Sequence, residues 1–184
     1  MKPKRMSFSR QFPAYHKRKG EPTYFVEKIL TEIGIRFLEN DYLEMLCKLN
    51  PSISRPFLKK FQNSLTSQEV CAKKHTIRSL SKQMQIGDKI LPVCWAGRPY
   101  HKTKEGFWQI VFAPEIEVKH AWDLSQNVLD YLYENALMVD FSKNDGLTYD
   151  DLILWLKLPK QEESWKFSVN NNYQIICWDE KLKY

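Results

Sequence analysis

The chain has 184 residues, 43% of them hydrophobic and 14% aromatic, with 28 Lys or Arg against 22 Asp or Glu. That length and apolar content suit a single folded domain, 1–184, with a real core, and exclude a disordered polyelectrolyte. No apolar run approaches the roughly 18 residues of a membrane span, and the basic N-terminus lacks an apolar signal core, so a cytoplasmic, non-membrane protein is expected.

Residues 6–12 place Phe8 and Phe12 in an opening strand that stops at Pro13. A basic loop, 15–20, leads to Pro22 and Thr23, residues suited to a helix start, where a missing N–H is harmless and a hydroxyl caps orphan donors. Val26, Ile29, Leu30 and Ile33 follow at helical spacing. Gly34 interrupts, and Phe37, Leu38, Tyr42, Leu43 and Leu46 predict a second helix closed by Asn50-Pro51. Residues 51–68 are polar and basic and are expected to be a loop, with at most one helical turn at 57–61.

Strands are predicted at 76–78 and 89–95, the second introduced by Gly87-Asp88, with a long exposed hairpin loop over 97–106. Residues 107–112 and 115–120 alternate apolar and polar around Pro114, which predicts that they pair with each other. Residues 122–140 are ambiguous: Val128, Leu129, Leu132 and Tyr133 suit a helix, while Ala136 to Val139 suit a strand. Thr148 and Asp151 have capping-box spacing before a helix that buries Leu152, Leu156 and Trp155 and ends at Pro159. Residues 173–178 read as the last strand. Short strands separated by loops and a few helices indicate α+β with a small curved sheet or barrel.

Charge is unevenly spread. Residues 1–20 carry seven Lys or Arg and no acid, and residues 55–104 carry eleven against Glu69 and Asp88. Residues 105–184 hold seven Lys and fourteen acids. Such concentration favours a polyanionic partner, or else pairs the basic stretch with the acidic one. Cys47, Cys71, Cys94 and Cys177 form no C-x-x-C pair, and the four histidines are scattered. Reduced thiols, no metal site and no cofactor are therefore expected.

The densest chemistry lies in 69–100. In a strand, Thr76 and Arg78 share one face while His75 and Ile77 take the other. His75 is therefore expected to be packed rather than catalytic. Lys73 reaches the Thr76 face only if the chain bends. Further on, Arg78, Arg98, Lys102 and Lys104 are interleaved with Trp95, Tyr100 and Trp108. Guanidinium and ammonium groups hold phosphates and aromatic faces stack unpaired bases, unless the tryptophans are core and the lysines merely solvate a loop. No Gly-x-Ser-x-Gly elbow and no phosphate-binding glycine loop is present, and the positions before Gly146 do not fit a calcium loop.

Lys73-x-His75-Thr76-Ile77-Arg78, then Gly87-Asp88-Lys89, then Trp95-x-Gly97-Arg98-Pro99-Tyr100, resembles the ASCH family of the PUA-like superfamily, and within it proteins of phages and bacteria. Ser7-Phe8-Ser9, Gly20-Glu21-Pro22-Thr23, Asn144-Asp145-Gly146-Leu147 and the closing 174–178 fit in order. The matches span nearly the whole chain, with 34–70 resembling an insertion. The resemblance implies a PUA-like, ASCH-type mixed β-barrel with peripheral helices and a basic cleft for RNA, single-stranded nucleic acid or a nucleoside-like ligand. Lys73, Thr76, Arg78, Arg98 and Tyr100 would border that cleft.

Some ASCH proteins are amidohydrolases on acetylated cytidine. Carried over, their Lys falls on Lys73 and their Thr on Thr76, while their Glu position is filled by the shorter Asp145. In that reading Thr76 is the nucleophile, Lys73 its base and Asp145 a proton donor or orienter. A third reading has the 34–70 segment bind a host protein.

Overall fold

The computed structural model describes residues 2–66, 70–79, 83–156 and 173–182. They form two compact units: residues 1–12, 21–72 and 89–116 in the first, and residues 13–20, 73–88 and 117–184 in the second. Pro159 and the link to Ser164 lie outside the described residues. Among the described residues there are two open sheets and six helices. The expected closed barrel is therefore corrected. Closing a barrel needs the outermost strands to pair with each other, and among the described residues each sheet ends in strands with one neighbour only.

In the first unit, β3 (Lys89–Trp95) is the central strand. It pairs in parallel with β1 (Lys4–Ser7) and antiparallel with β4 (Gln109–Val111), and β5 (Ile116–Glu117) also pairs with it. The predicted pairing of 107–112 with 115–120 does not form, because both stretches dock back on the longer apolar β3. The opening strand stops at Ser7 instead of running to residue 12. Residues beyond it turn to meet the chain at 21–23, with Phe12 N–H donating to the Glu21 carbonyl and the Thr23 hydroxyl to the Ser9 carbonyl. The Thr23 hydroxyl also accepts from Phe25 N–H at 3.4 Å, the first N–H of α1 (Phe25–Glu32), which starts after Tyr24, whose φ is 57°.

The 51–68 stretch holds more order than expected. α2 (Asn40–Leu49) is followed by α3 (Arg55–Asn63), a nine-residue helix. Pro56 is in its first turn, where no N–H is needed. Leu58 and Phe61 are buried, as are Tyr42 and Leu46 of α2. The Tyr42 hydroxyl donates to the Phe112 carbonyl at 3.0 Å. The 34–70 segment therefore supplies part of the first unit's core, alongside Phe8 and Phe112, whose rings meet edge-on at 6.0 Å.

In the second unit, β7 (Tyr173–Cys177) is central, antiparallel to β2 (His75–Ser79) and to β6 (His120–Leu124). Three helices follow β6: α4 (Gln126–Glu134), α5 (Met138–Asn144) and α6 (Tyr149–Leu156). The ambiguous 122–140 stretch is strand only to Leu124 and becomes helix once the Ser125 side chain caps Val128 N–H; residues 136–139, which also fitted a strand, instead lead into α5. The Thr148 hydroxyl accepts from Asp151 N–H at 3.2 Å, as the capping spacing predicted. The Asp151 carboxylate does not reciprocate. It takes Arg18 at 2.7 Å, tying the basic 13–20 loop to the helix N-terminus, where acid is favoured.

Both units use a buried carboxamide as a stand-in for a strand. The Asn50 side chain donates to the Val111 carbonyl at 2.8 Å and accepts from Val111 N–H at 2.9 Å. Gln174 does the same with Met84, at 2.9 Å in each direction.

Candidate functional site

Among the sequence-predicted catalytic residues, Lys73 and Asp145 do meet. α5 ends in a Schellman arrangement, with Gly146 N–H donating to the Lys143 carbonyl and Leu147 N–H to the Ser142 carbonyl. Gly146 takes φ 79°, the left-handed conformation glycine tolerates. That cap leaves Asp145, the residue just after the helix, buried. Lys74 N–H donates to the Asn144 carbonyl, holding the start of β2 against this helix end. Lys73 Nζ then sits 2.8 Å from Asp145 Oδ1 and also donates to the Asp145 backbone carbonyl. The cation thus serves a carboxylate and the negative end of a helix together.

The pair is sealed from water: Lys73 is 0% exposed and Asp145 4%. Burial pushes the Asp145 carboxyl above its usual range, while Lys73, Arg78 and the Ile77 N–H pull it back down. Burial likewise lowers the Arg78 guanidinium, with the Asp145 charge opposing. Thr76 is buried in β2. A general base must be free to take up a proton, and Lys73 Nζ is engaged by both the carboxylate and the backbone carbonyl of Asp145. Hydrolysis through Lys73 would first require the pair to open.

His75 belongs to this cluster. Its Nε2 lies 3.8 Å from Asp145 Oδ1 and its ring lies 4.9 Å from that of Phe141. Strand alternation places it away from Thr76, which hides this neighbourhood from a reading of the sequence. Its pKa is driven well below 6.5 by burial first and by the Lys73 charge second. The unfolded chain therefore takes up a proton near pH 6.5 that the folded chain refuses. Stability from this residue is complete above pH 6.5 and falls by about 1.4 kcal/mol per pH unit below it. Asp145 works in the opposite sense at lower pH, because its raised pKa lets the folded state protonate first. The difference in urea-unfolding free energy between wild type and His75→Gln should accordingly change between pH 7 and 5.5. Parallel pH profiles would rule this out.

The second group lies in the first unit, on the loop joining β3 to β4. Arg98, Lys102 and Lys104 are exposed, Trp95 is half-buried, and Tyr100 and Trp108 are 77% and 47% exposed. Trp95 and Tyr100 rings sit 4.8 Å apart, so Trp95 props Tyr100 from beneath. Tyr100 has φ 62°, a strained backbone for a bulky side chain. Lys102 Nζ lies 5.8 Å from the Trp108 ring centre. Lys73, Thr76, Arg78 and Asp145 belong to the second unit, and Trp95, Arg98, Tyr100, Lys102 and Lys104 to the first.

Among the described residues, no three His, Cys, Asp or Glu are gathered to hold a metal ion, and no helix is long and apolar enough to cross a membrane. The four cysteines are free thiols, and burial pushes that of Cys94 up to about 12.

No protein-family model, curated protein or solved structure matches this chain. ASCH and PUA-like membership, phage-type relatives and RNA as a family ligand therefore find no support, and the barrel they implied is replaced by two open sheets.

Proposed function

We propose that this chain binds single-stranded nucleic acid through the β3–β4 loop, residues 95–108. The observation that carries this reading is the exposure of Tyr100 and Trp108 among three exposed cations. Large aromatic faces left in water are informative where exposed leucines are not. Each offers a stacking platform for a base, and Arg98, Lys102 and Lys104 offer phosphate partners beside it. Charge supports the same unit. It holds 14 Lys or Arg against nine acids, so nearly all of the chain's net charge of +6 resides there. Backbone strain at Tyr100 is the kind that persists where a side chain must be aimed.

Fluorescence anisotropy with labelled oligothymidine and oligouridine tests the reading. Trp108→Ala and Tyr100→Ala should each weaken binding by about 1–3 kcal/mol, or roughly 5- to 150-fold. Arg98→Ala should weaken it on all sequences alike and make it less sensitive to salt, since a phosphate contact releases about one counterion. Wild-type protein that binds neither oligomer at low salt, or aromatic variants that bind as wild type does, would remove the proposal.

A further inference from the structure

The two exposed aromatics of the loop lie on opposite faces of one β-ribbon. Val93, Cys94 and Trp95 of β3 pair with Val111, Ile110 and Gln109 of β4. The ladder continues one step further, where Ala96 N–H donates to the Trp108 carbonyl at 3.0 Å. Side chains alternate along each strand, and directly paired residues point the same way. Trp95 and Gln109 therefore take one face, and Trp108 takes the other with Ala96, Cys94 and Ile110. Tyr100 joins the Trp95 face, its ring centre 4.8 Å from that of Trp95. A turn holds it there. His101 N–H donates to the Arg98 carbonyl at 3.2 Å, Pro99 fixes the first central φ at roughly −65°, and the Tyr100 φ of 62° fills the second. That is a type II turn, whose second central position ordinarily takes glycine. Tyrosine in that position costs backbone strain and fixes a ring above Trp95. Phe107 shares the Trp95 face by the same alternation, and it meets Phe57 of α3 edge-on with ring centres 5.5 Å apart. α3 thus braces the ribbon from that side. On the opposite face Lys102 Nζ lies 5.8 Å from the Trp108 ring centre, within cation–π range. Each face carries an exposed ring and a cation: Tyr100 with Arg98 of its own turn, and Trp108 with Lys102.

We propose that the 95–108 ribbon is a wedge for a junction at which two nucleic-acid strands separate, with an unpaired base of one strand on Tyr100 and of the other on Trp108. This rests on the loop being a nucleic-acid surface and names the form of nucleic acid it takes. Rings on opposite faces do not suit neighbouring bases of one strand. Stacked bases are about 3.4 Å apart, whereas the two rings are separated by the ribbon and its side chains, on the order of 10 Å. Two strands diverging from a duplex end pass on either side of such a ribbon, and each meets one ring and one cation.

The test uses the full chain and two labelled DNAs of equal charge. One is a fork, a duplex ending in two unpaired arms of about six thymidines each, and the other is the same duplex with a single tail of about twelve. Fluorescence anisotropy should show the fork bound roughly 5- to 150-fold more tightly, the effect of one further stacked base. 2-Aminopurine at the first unpaired position of either arm reports stacking on that arm alone. Tyr100→Gly removes the ring and leaves a residue suited to φ 62°. It should abolish the fluorescence change in one arm and spare the other, and Trp108→Ala should do the reverse. Lys102→Ala, a surface change, should weaken the signal of the arm that Trp108→Ala silences. Equal affinity for fork and tail, both aromatic variants silencing the same arm, or each silencing both, would overturn the wedge and leave single-strand binding standing. Wild-type protein that binds neither fork, tail nor oligothymidine would remove both readings.

Discussion

Lys73→Met is expected to lower the unfolding free energy by about 3–5 kcal/mol at pH 7, the cost of leaving one partner of a buried ion pair behind. Methionine keeps most of the aliphatic stem, so packing changes little and the charge is what is tested. Without the ammonium, Asp145 loses the group 2.8 Å from its carboxylate, and the C-terminal carbonyl of α5 loses a donor. Arg78 and the Ile77 N–H still oppose the burial of Asp145, which sets the ceiling on the loss. The stranded carboxyl is pushed further up, so the deficit should narrow as pH falls and Asp145 protonates in the folded state. Adding Asp145→Asn to Lys73→Met removes the uncompensated charge and should recover more than half of the loss. Urea denaturation followed by tryptophan fluorescence measures all three proteins. A loss under about 1 kcal/mol, or a double variant no better than the single, would mean that the pair is already open to water.

The same cluster shows what the amino-acid order makes legible. Lys73 and Asp145 are 72 positions apart, yet Lys73-x-His75-Thr76 and Asn144-Asp145-Gly146-Leu147 each stand out in the sequence itself. Both lie at element ends, where local rules are strong: a strand start and a glycine needing φ 79°. α1, β3, β7 and the Thr148 cap are legible for the same reason. Pairing at a distance is not. Adjacency suggests that 107–112 pairs with 115–120, but an apolar β3 with an open side is the better partner for both. Pro56 reads as a breaker within a loop, although in the first turn of a helix it is a starter, and Phe57, Leu58 and Phe61 have helical spacing. The closed barrel followed from short strands in sequence, but the strands pair as two open sheets among the described residues. Alternation correctly makes His75 a packed residue, but it says nothing of a helix end arriving from elsewhere.

Asn50→Ala is expected to cost about 2–4 kcal/mol, unusually much for a residue that looks like punctuation. As a helix stop it would be replaceable, since its φ of −131° is open to any residue. Its amide, however, completes the hydrogen bonding of Val111, the last residue of β4, and also donates to the Leu46 carbonyl at 2.9 Å. Alanine leaves a donor and an acceptor of Val111 unsatisfied beside a buried side chain, each costing about 1–3 kcal/mol when water cannot reach it. Asn50→Asp separates the two halves of the interaction. It keeps an acceptor for Val111 N–H but sets a carboxylate against the Val111 carbonyl, so it should be at least as damaging at neutral pH and milder when protonated. Gln174→Ala should have a similar cost in the second unit, through Met84. Amide hydrogen exchange locates the effect: Asn50→Ala should speed exchange at Val111 and its β3 partner Val93. A loss of stability that leaves Val111 exchange unchanged would show that the carboxamide is not what secures β4.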